Sequence, residues 1–157
     1  MIVTVTLNPS IDRTAPIAGP LRRGQVNRLG SSTEVAAGKG VNISRVLRGA
    51  GIETCAVVPA GAKGRLTLGL NHDDIPHQVV PVAAAVRTNL TITEPDGTTT
   101  KINEPGADLS PEELTAVEEA IVEKSSGAQW VVLSGSLPPG VPTHWYLSLI
   151  HISEPTR

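Results

Sequence analysis

The sequence predicts an α/β domain built on a mostly parallel sheet. Three observations carry that reading. Short β-branched or apolar runs (Ile2–Leu7, Thr54–Val58 and Trp130–Leu133) are separated by stretches of helical periodicity. A hairpin signature, Glu94-Pro95-Asp96-Gly97, is inserted between them. The polar, glycine-bearing segments follow the strands, where ligands collect beyond the carboxyl ends of a parallel sheet.

Taken in order, IVTVTL (Ile2–Leu7) is a strand that runs into the turn signal Asn8-Pro9-Ser10. Thr14–Gly30 carries Pro16, Gly19, Pro20 and Gly24 and reads as irregular chain or short strands on a flap. Ile43, Val46, Leu47 and Ala50 share i, i+3, i+4, i+7 spacing and predict an apolar helix face that ends at Gly51. Thr54–Val58 reads as a buried strand, and Gly64–Asn71 as a second short helix. Val86–Thr93 and Thr98–Asn103 flank the Asp-Gly turn, with Thr91, Thr93, Thr98 and Thr100 giving the hairpin a polar face. Ser110-Pro111-Glu112-Glu113 is a capping box with proline at the first helical position, and Leu114, Val117 and Ile121 line one side of the helix it opens. Lys124 and Gly127 end that helix, and WVVL (Trp130–Leu133) is a buried strand leading into SGSLPPG. No internal repeat breaks this order.

Composition narrows the function classes. The 157 residues are 39% hydrophobic and 18% charged, the balance of one globular domain. A net charge of -2 gives no basic excess for nucleic acid or an anionic membrane surface. Aromatics at 2%, with no Phe, leave nothing to build a base-stacking platform. The lone Cys55 excludes a disulfide framework and a thiolate metal site, and reads as a core residue. His72, His77 and His144 share no metal-ligand spacing and read as surface or loop residues. The start carries no signal-peptide pattern and no apolar run reaches membrane length, so the expected location is cytoplasmic.

The stretch VAAGKGVNISRVLRGAG (Val35–Gly51) sets two glycines around a lysine at a helix entrance. Gly38 and Gly40 let backbone approach a ligand, the helix N-terminus favours an anion, Lys39 adds charge, and Asn42 adds a donor and an acceptor. Plain turn chemistry is the alternative for the glycine pair. The spacing fits neither a Walker A loop nor Gly-x-Gly-x-x-Gly.

Five segments in this order and spacing, TLNPSID, AAGKGVN, RTNLTI, TKINEP and SGSLPPG, resemble the ribokinase-like (PfkB) family of carbohydrate kinases. Within it they are most similar to the 1-phosphofructokinase and tagatose-6-phosphate kinase group, over nearly all of 1–146. The resemblance implies a three-layer sandwich with a mostly parallel central sheet and a small β-lid from about 17–29 and 87–103. It assigns Asp12, Gly38, Lys39, Gly40 and Asn42 to sugar binding, and Arg87 to the phosphate the substrate already carries. An arginine fork suits that bidentate task. Asn89 shares Arg87's strand face, and Ser134 and Ser136 lie where a strand end meets substrate; Arg28 approaches from the flap. An Asx turn is the alternative for Asp12, and an exposed strand-start arginine for Arg87. Pro138, Pro139 and Gly140 shape a turn, and Lys101 and Glu104 are solvated hairpin charges.

The implied reaction transfers the γ-phosphoryl of ATP, with Mg2+, to fructose 1-phosphate; 6-phosphofructokinase and tagatose-6-phosphate kinase chemistry remain open beside it. Lids of two subunits meet in many family members, so a homodimer is expected of the full-length protein. The family's Gly-Ala-Gly-Asp and acidic magnesium motifs do not occur in this sequence. No catalytic residue is nominated, and neither ATP nor Mg2+ is expected to bind these residues well. The ending LSLIHISEPTR (147–157) resembles an in-frame translation of a transposase sequencing adapter, so the native frame is expected to be cut near Tyr146 at about half the family fold. His151 and Glu154 accordingly carry no functional weight. The last strand of such a half sheet is expected to leave an unpaired apolar edge that promotes aggregation. A non-catalytic sugar-phosphate-binding domain is the reading from another class.

Overall fold

The computed structural model describes residues 1–153. The central sheet holds β1 (Ile2–Val5), β4 (Thr54–Ala60), β5 (His77–Pro81) and β8 (Trp130–Leu133) in the order β5-β4-β1-β8, every pair parallel. A second sheet sets β3 (Thr33–Ala37), β2 (Ser10–Pro16), β6 (Arg87–Thr93) and β7 (Thr99–Asn103) in the order β3-β2-β6-β7. In it β2 and β6 run parallel, and the two outer pairs antiparallel.

Helices cover both faces of the central sheet. On one side α3 (Pro111–Ser125) and α4 (Trp145–Ser153) bury Val117, Ile121, Trp145 and Leu149 against Val3, Val5, Leu7 and Val57. On the other, α1 (Lys39–Gly49) and α2 (Arg65–His72) bring Val41, Leu66 and Leu70 against Ala56, Val58 and Ala60. This is the three-layer arrangement the resemblance implies. Alternation along β1 and β4 feeds both cores, since successive side chains leave a strand on opposite faces. Each buried leucine there contributes about 1.5–3 kcal/mol, and Leu70→Ala would cost about 2–5 kcal/mol.

The α3 capping box forms as expected: Ser110 Oγ accepts from Glu113 N at 3.2 Å and Glu113 Oε2 accepts from Ser110 N at 2.9 Å. The buried face of α1 differs from expectation. Val46 is 72% exposed and Ala50 is exposed, whereas Gly40, Val41 and Ser44 face the sheet. The reason is a polar seam under the helix. Ser44 Oγ bonds Thr4 Oγ1 at 2.8 Å and Thr54 Oγ1 at 2.9 Å, so a small hydroxyl residue suits the contact better than a bulky aliphatic.

Segment 17–29 takes the irregular one of its two readings, as part of the connection from β2 to β3 with the isolated bridge Ile17–Leu29. Two expectations about the chain after it shift. Strand β8 is only partly buried, with Trp130 69% exposed, because it pairs with β1 alone and forms the sheet edge among the described residues. Of the adapter-like segment, 147–153 continue α4 and Leu149 joins the core, while 154–157, with Glu154, lie outside the described residues. Among the described residues no helix is long and apolar enough to cross a membrane.

Candidate functional site

The β2–β6 pairing assembles the site. Its register sets Ser10 beside Arg87 and Asp12 beside Asn89. Residues two apart share a face, so all four side chains belong to one face of the small sheet. Asp12, read from sequence as part of a turn, is instead the third residue of β2. Its Oδ1 accepts from Ser10 Oγ and from Asn89 Nδ2, each at 2.9 Å. That fixes one oxygen of an exposed carboxylate and leaves Oδ2 to the outside, the arrangement needed to accept from a sugar hydroxyl.

Arg87 opens β6 and reaches two loops. Its Nη1 donates to the Glu104 carbonyl at 3.2 Å and its Nη2 to Ser136 Oγ at 3.5 Å. Arg13, Arg45, Arg48 and Arg65 each pair with a carboxylate, but Arg87 makes no ion pair among the described residues. Its Nε and the Oδ1 of Asn89 are buried atoms without a hydrogen-bond partner. An uncompensated guanidinium with an unused donor is the chemistry of an anion site.

The close approach of the glycine turn is to Thr6, the residue after β1. A Cβ on Gly38, at φ +129°, would stand 2.5 Å from Thr6 Cγ2, and one on Gly40 2.5 Å from Thr6 Oγ1. Thr6 Oγ1 also accepts from Val41 N at 3.0 Å, and Asn42 N bonds the Gly38 carbonyl at 2.8 Å. The N–H groups of Lys39 and Gly40 make no hydrogen bond among the described residues, so the helix entrance still offers donors. The Lys39 stem lies beside Gly135, which joins the GKG turn to the SGS loop. The carboxamide of Asn42 turns to Arg45, whose Nη1 donates to its Oδ1 at 2.6 Å while Nη2 holds the Ala36 carbonyl and Asp73. Asn42 makes no bond to Asp12, Arg87 or Asn89 among the described residues.

Two residues had their part in the site hidden. Glu104 is not simply a solvated charge: its Oε2 accepts from Thr88 N at 2.7 Å and its carbonyl takes the Arg87 bond. Ser10 orients Asp12 but sits in an Asn-Pro-Ser stretch whose plainest reading is a turn. Arg28 lines an open groove within its own loop, beside Arg22 and Asn27, away from the cluster. Ser134 donates its backbone N–H to the Val5 carbonyl at 3.2 Å, so its part is to end β8 against β1. His77 bonds the Ile75 carbonyl through Nδ1 at 2.7 Å. Cys55 is buried, and burial pushes its thiol above the ordinary value although Lys124 opposes this. A depression of about 30 Å³ beside Asn8, Arg87, Gly106 and Pro138 is too small to enclose a sugar phosphate.

A parallel sheet covered on both sides, with a small sheet carrying a carboxylate and an arginine without an ion pair among the described residues on one face, defines an α/β protein of three layers with a polar face. The chain belongs to the pfkB family of carbohydrate kinases, matching it over residues 5–155. It is 32% identical over 145 residues to a 1-phosphofructokinase of Vibrio cholerae, covering 89% of this chain and 44% of that one. Its fold is similar to phosphofructokinase-2 from Escherichia coli in complex with fructose-6-phosphate, at a TM-score of 0.87 and 30% identity over 97% of this chain and 50% of the other. The tetrameric inhibited form of that protein gives a TM-score of 0.88 with the same identity and coverage. The chain thus spans about half the length of these relatives.

Proposed function

We propose that these residues form the sugar-phosphate-binding portion of an ATP-dependent sugar-phosphate kinase whose substrate is fructose 1-phosphate. The observation that carries this reading is the unpaired Arg87 guanidinium two residues from Asn89, on the face that holds Asp12. Arg87 and Ser136 bind the phosphate already on the sugar, with Lys39 and the α1 entrance adding positive potential. Asp12 Oδ2 and Asn89 take the sugar hydroxyls, and Gly38 and Gly40 hold the α1 entrance against β1. The likeness to a 1-phosphofructokinase favours fructose 1-phosphate; the likeness to a fructose-6-phosphate complex keeps fructose 6-phosphate as the first competitor. No observation favours a non-catalytic domain.

In the family reaction a sugar hydroxyl oxygen bonds the γ-phosphorus of ATP as ADP leaves, and positioning with charge neutralisation supplies most of the rate. Among the described residues no three His, Cys, Asp or Glu side chains cluster. What this chain supplies is orientation of the acceptor. We further propose a cytoplasmic setting, and self-association of the full-length protein through the small sheet as a homodimer, for which a tetrameric relative is a precedent of assembly only. Calorimetric titration tests the reading. Fructose 1-phosphate is expected to bind at least about tenfold tighter than fructose. Equal affinity, or no binding of fructose 1-phosphate, would overturn it.

A further inference from the structure

We propose that Asn8 is a positioning residue for the phosphate end of this site, and that it acts by setting the hydroxyl of Ser136. The inference rests on the sugar-phosphate reading above. Asn8 follows β1 and is 5% exposed. Its Nδ2 lies 3.0 Å from the Pro105 carbonyl, 3.3 Å from Ser136 Oγ and 3.5 Å from the Leu137 carbonyl, and its two hydrogens go to the two shorter contacts. One carboxamide therefore fastens the loop after β7 and the loop after β8 to the end of the central strand. Those are the two loops Arg87 touches, through the Glu104 carbonyl and Ser136 Oγ.

The hydrogen-bond count gives the staple its chemical meaning. A serine hydroxyl has two acceptor lone pairs and one proton. Ser136 Oγ receives Asn8 Nδ2 and Arg87 Nη2, so both acceptor positions are taken by protein donors. Its proton is left for a further acceptor. A phosphate oxygen in contact with both side chains would receive N–H donors from Arg87 and the O–H of Ser136 together. Without Asn8 the hydroxyl is free to rotate and the two loops lose their common tether.

Gly106 supports the same point. It holds φ at +99°, and a Cβ there would collide with the Asn8 carboxamide. The loop is shaped around that side chain, and any larger residue displaces it.

The test is a double-mutant cycle read by calorimetric titration of the full chain with fructose 1-phosphate. Asn8→Ala is expected to weaken binding about tenfold, and Ser136→Ala by a similar factor. If Asn8 acts through Ser136, the double variant binds within about twofold of Ser136→Ala. Losses that multiply, or an Asn8→Ala variant that binds like the parent chain, would overturn the proposal. If Asn8→Ala does not fold, the side-chain amide signals of Asn8 in the parent chain give the second readout by NMR. Fructose 1-phosphate is expected to shift them and fructose to leave them in place; signals unmoved by fructose 1-phosphate overturn the inference. Failure of the parent chain to bind fructose 1-phosphate removes the sugar-phosphate reading and this inference with it. Binding by the parent chain that is indifferent to Asn8 removes only the inference.

Discussion

Asn89 donates its Nδ2 hydrogen to Oδ1 of Asp12 at 2.9 Å, and the two residues are direct neighbours on the parallel β2–β6 ladder. They lie 77 positions apart in the chain, so the bond exists only because β2 and β6 pair in this register. A slip of one residue would turn Asn89 to the opposite face and leave Asp12 held by Ser10 alone.

Asp12→Asn keeps the size of the side chain but removes the charge proposed to accept sugar hydroxyls. Affinity for fructose 1-phosphate should fall at least about tenfold, since hydrogen bonds to a charged group are worth about 1.5–3 kcal/mol. Asp12 is exposed, so the melting temperature should stay within a few degrees. Unchanged affinity in the titration would remove Asp12 from the site.

Arg87 should decide whether the phosphate is recognised at all. Arg87→Ala is expected to make fructose 1-phosphate and fructose bind alike, while Arg87→Lys retains charge but loses the fork and recovers only part of the discrimination. The parent chain's preference should weaken as salt rises, because a charge contact that is only half-buried is still screened. A Lys variant equal to the parent would show that a point charge is enough.

The α3 capping box predicts a defined acid limb. Glu113 accepts from Ser110 N and from Ala83 N, and these backbone bonds hold its carboxyl below the ordinary value of 4.5, against weaker opposition from burial and Glu112. A depressed carboxylate stabilises the fold fully above its unfolded pKa and loses that contribution as pH falls through the folded value. Between pH 6 and pH 3 the parent chain should therefore lose more thermal stability than Glu113→Gln, which keeps the box but does not titrate. Parallel melting curves in the two chains would contradict this.

The exposed edge gives a prediction about association. Trp130 on β8 and Val122 and Ile150 beside it border one apolar recess with Ile121, Val131 and Leu149. An unpaired strand edge next to apolar surface promotes self-association. Trp130→Lys should raise the monomer fraction in sedimentation velocity without lowering sugar-phosphate affinity, since β8 and the Asp12 cluster occupy different sheets. A monomer fraction that does not change would place the sticky surface elsewhere.

Much of the fold was legible because the central strands and helices are local patterns. IVTVTL, the Ser110–Glu113 box and the Asp-Gly hairpin each name their own structure. What stayed hidden depends on partners far along the chain. Strand β2 begins at Ser10, directly after a proline turn signal, and becomes a strand through its pairing with β3 and β6. Strand β5 is a five-residue run, HQVVP, with a histidine at one end and a proline at the other, and only its ladder with β4 reveals it. The buried face of α1 departs from the apolar pattern because Gly40 and Ser44 carry no hydrophobic signal, yet small size and a hydroxyl suit the threonines beneath them. Of the proposed site, Asp12, Arg87 and Asn89 could be read from motif and strand period. Ser10, Asn8 and Glu104 could not, since their roles are hydrogen bonds between loops that only the folded chain brings together.

The most direct measurement is a crystal structure of the chain grown with fructose 1-phosphate. The account predicts the phosphate against the Arg87 guanidinium and the Ser136 hydroxyl, with sugar hydroxyls on Asp12 and Asn89. A sugar phosphate bound with Arg87 and Asp12 both out of contact would contradict it.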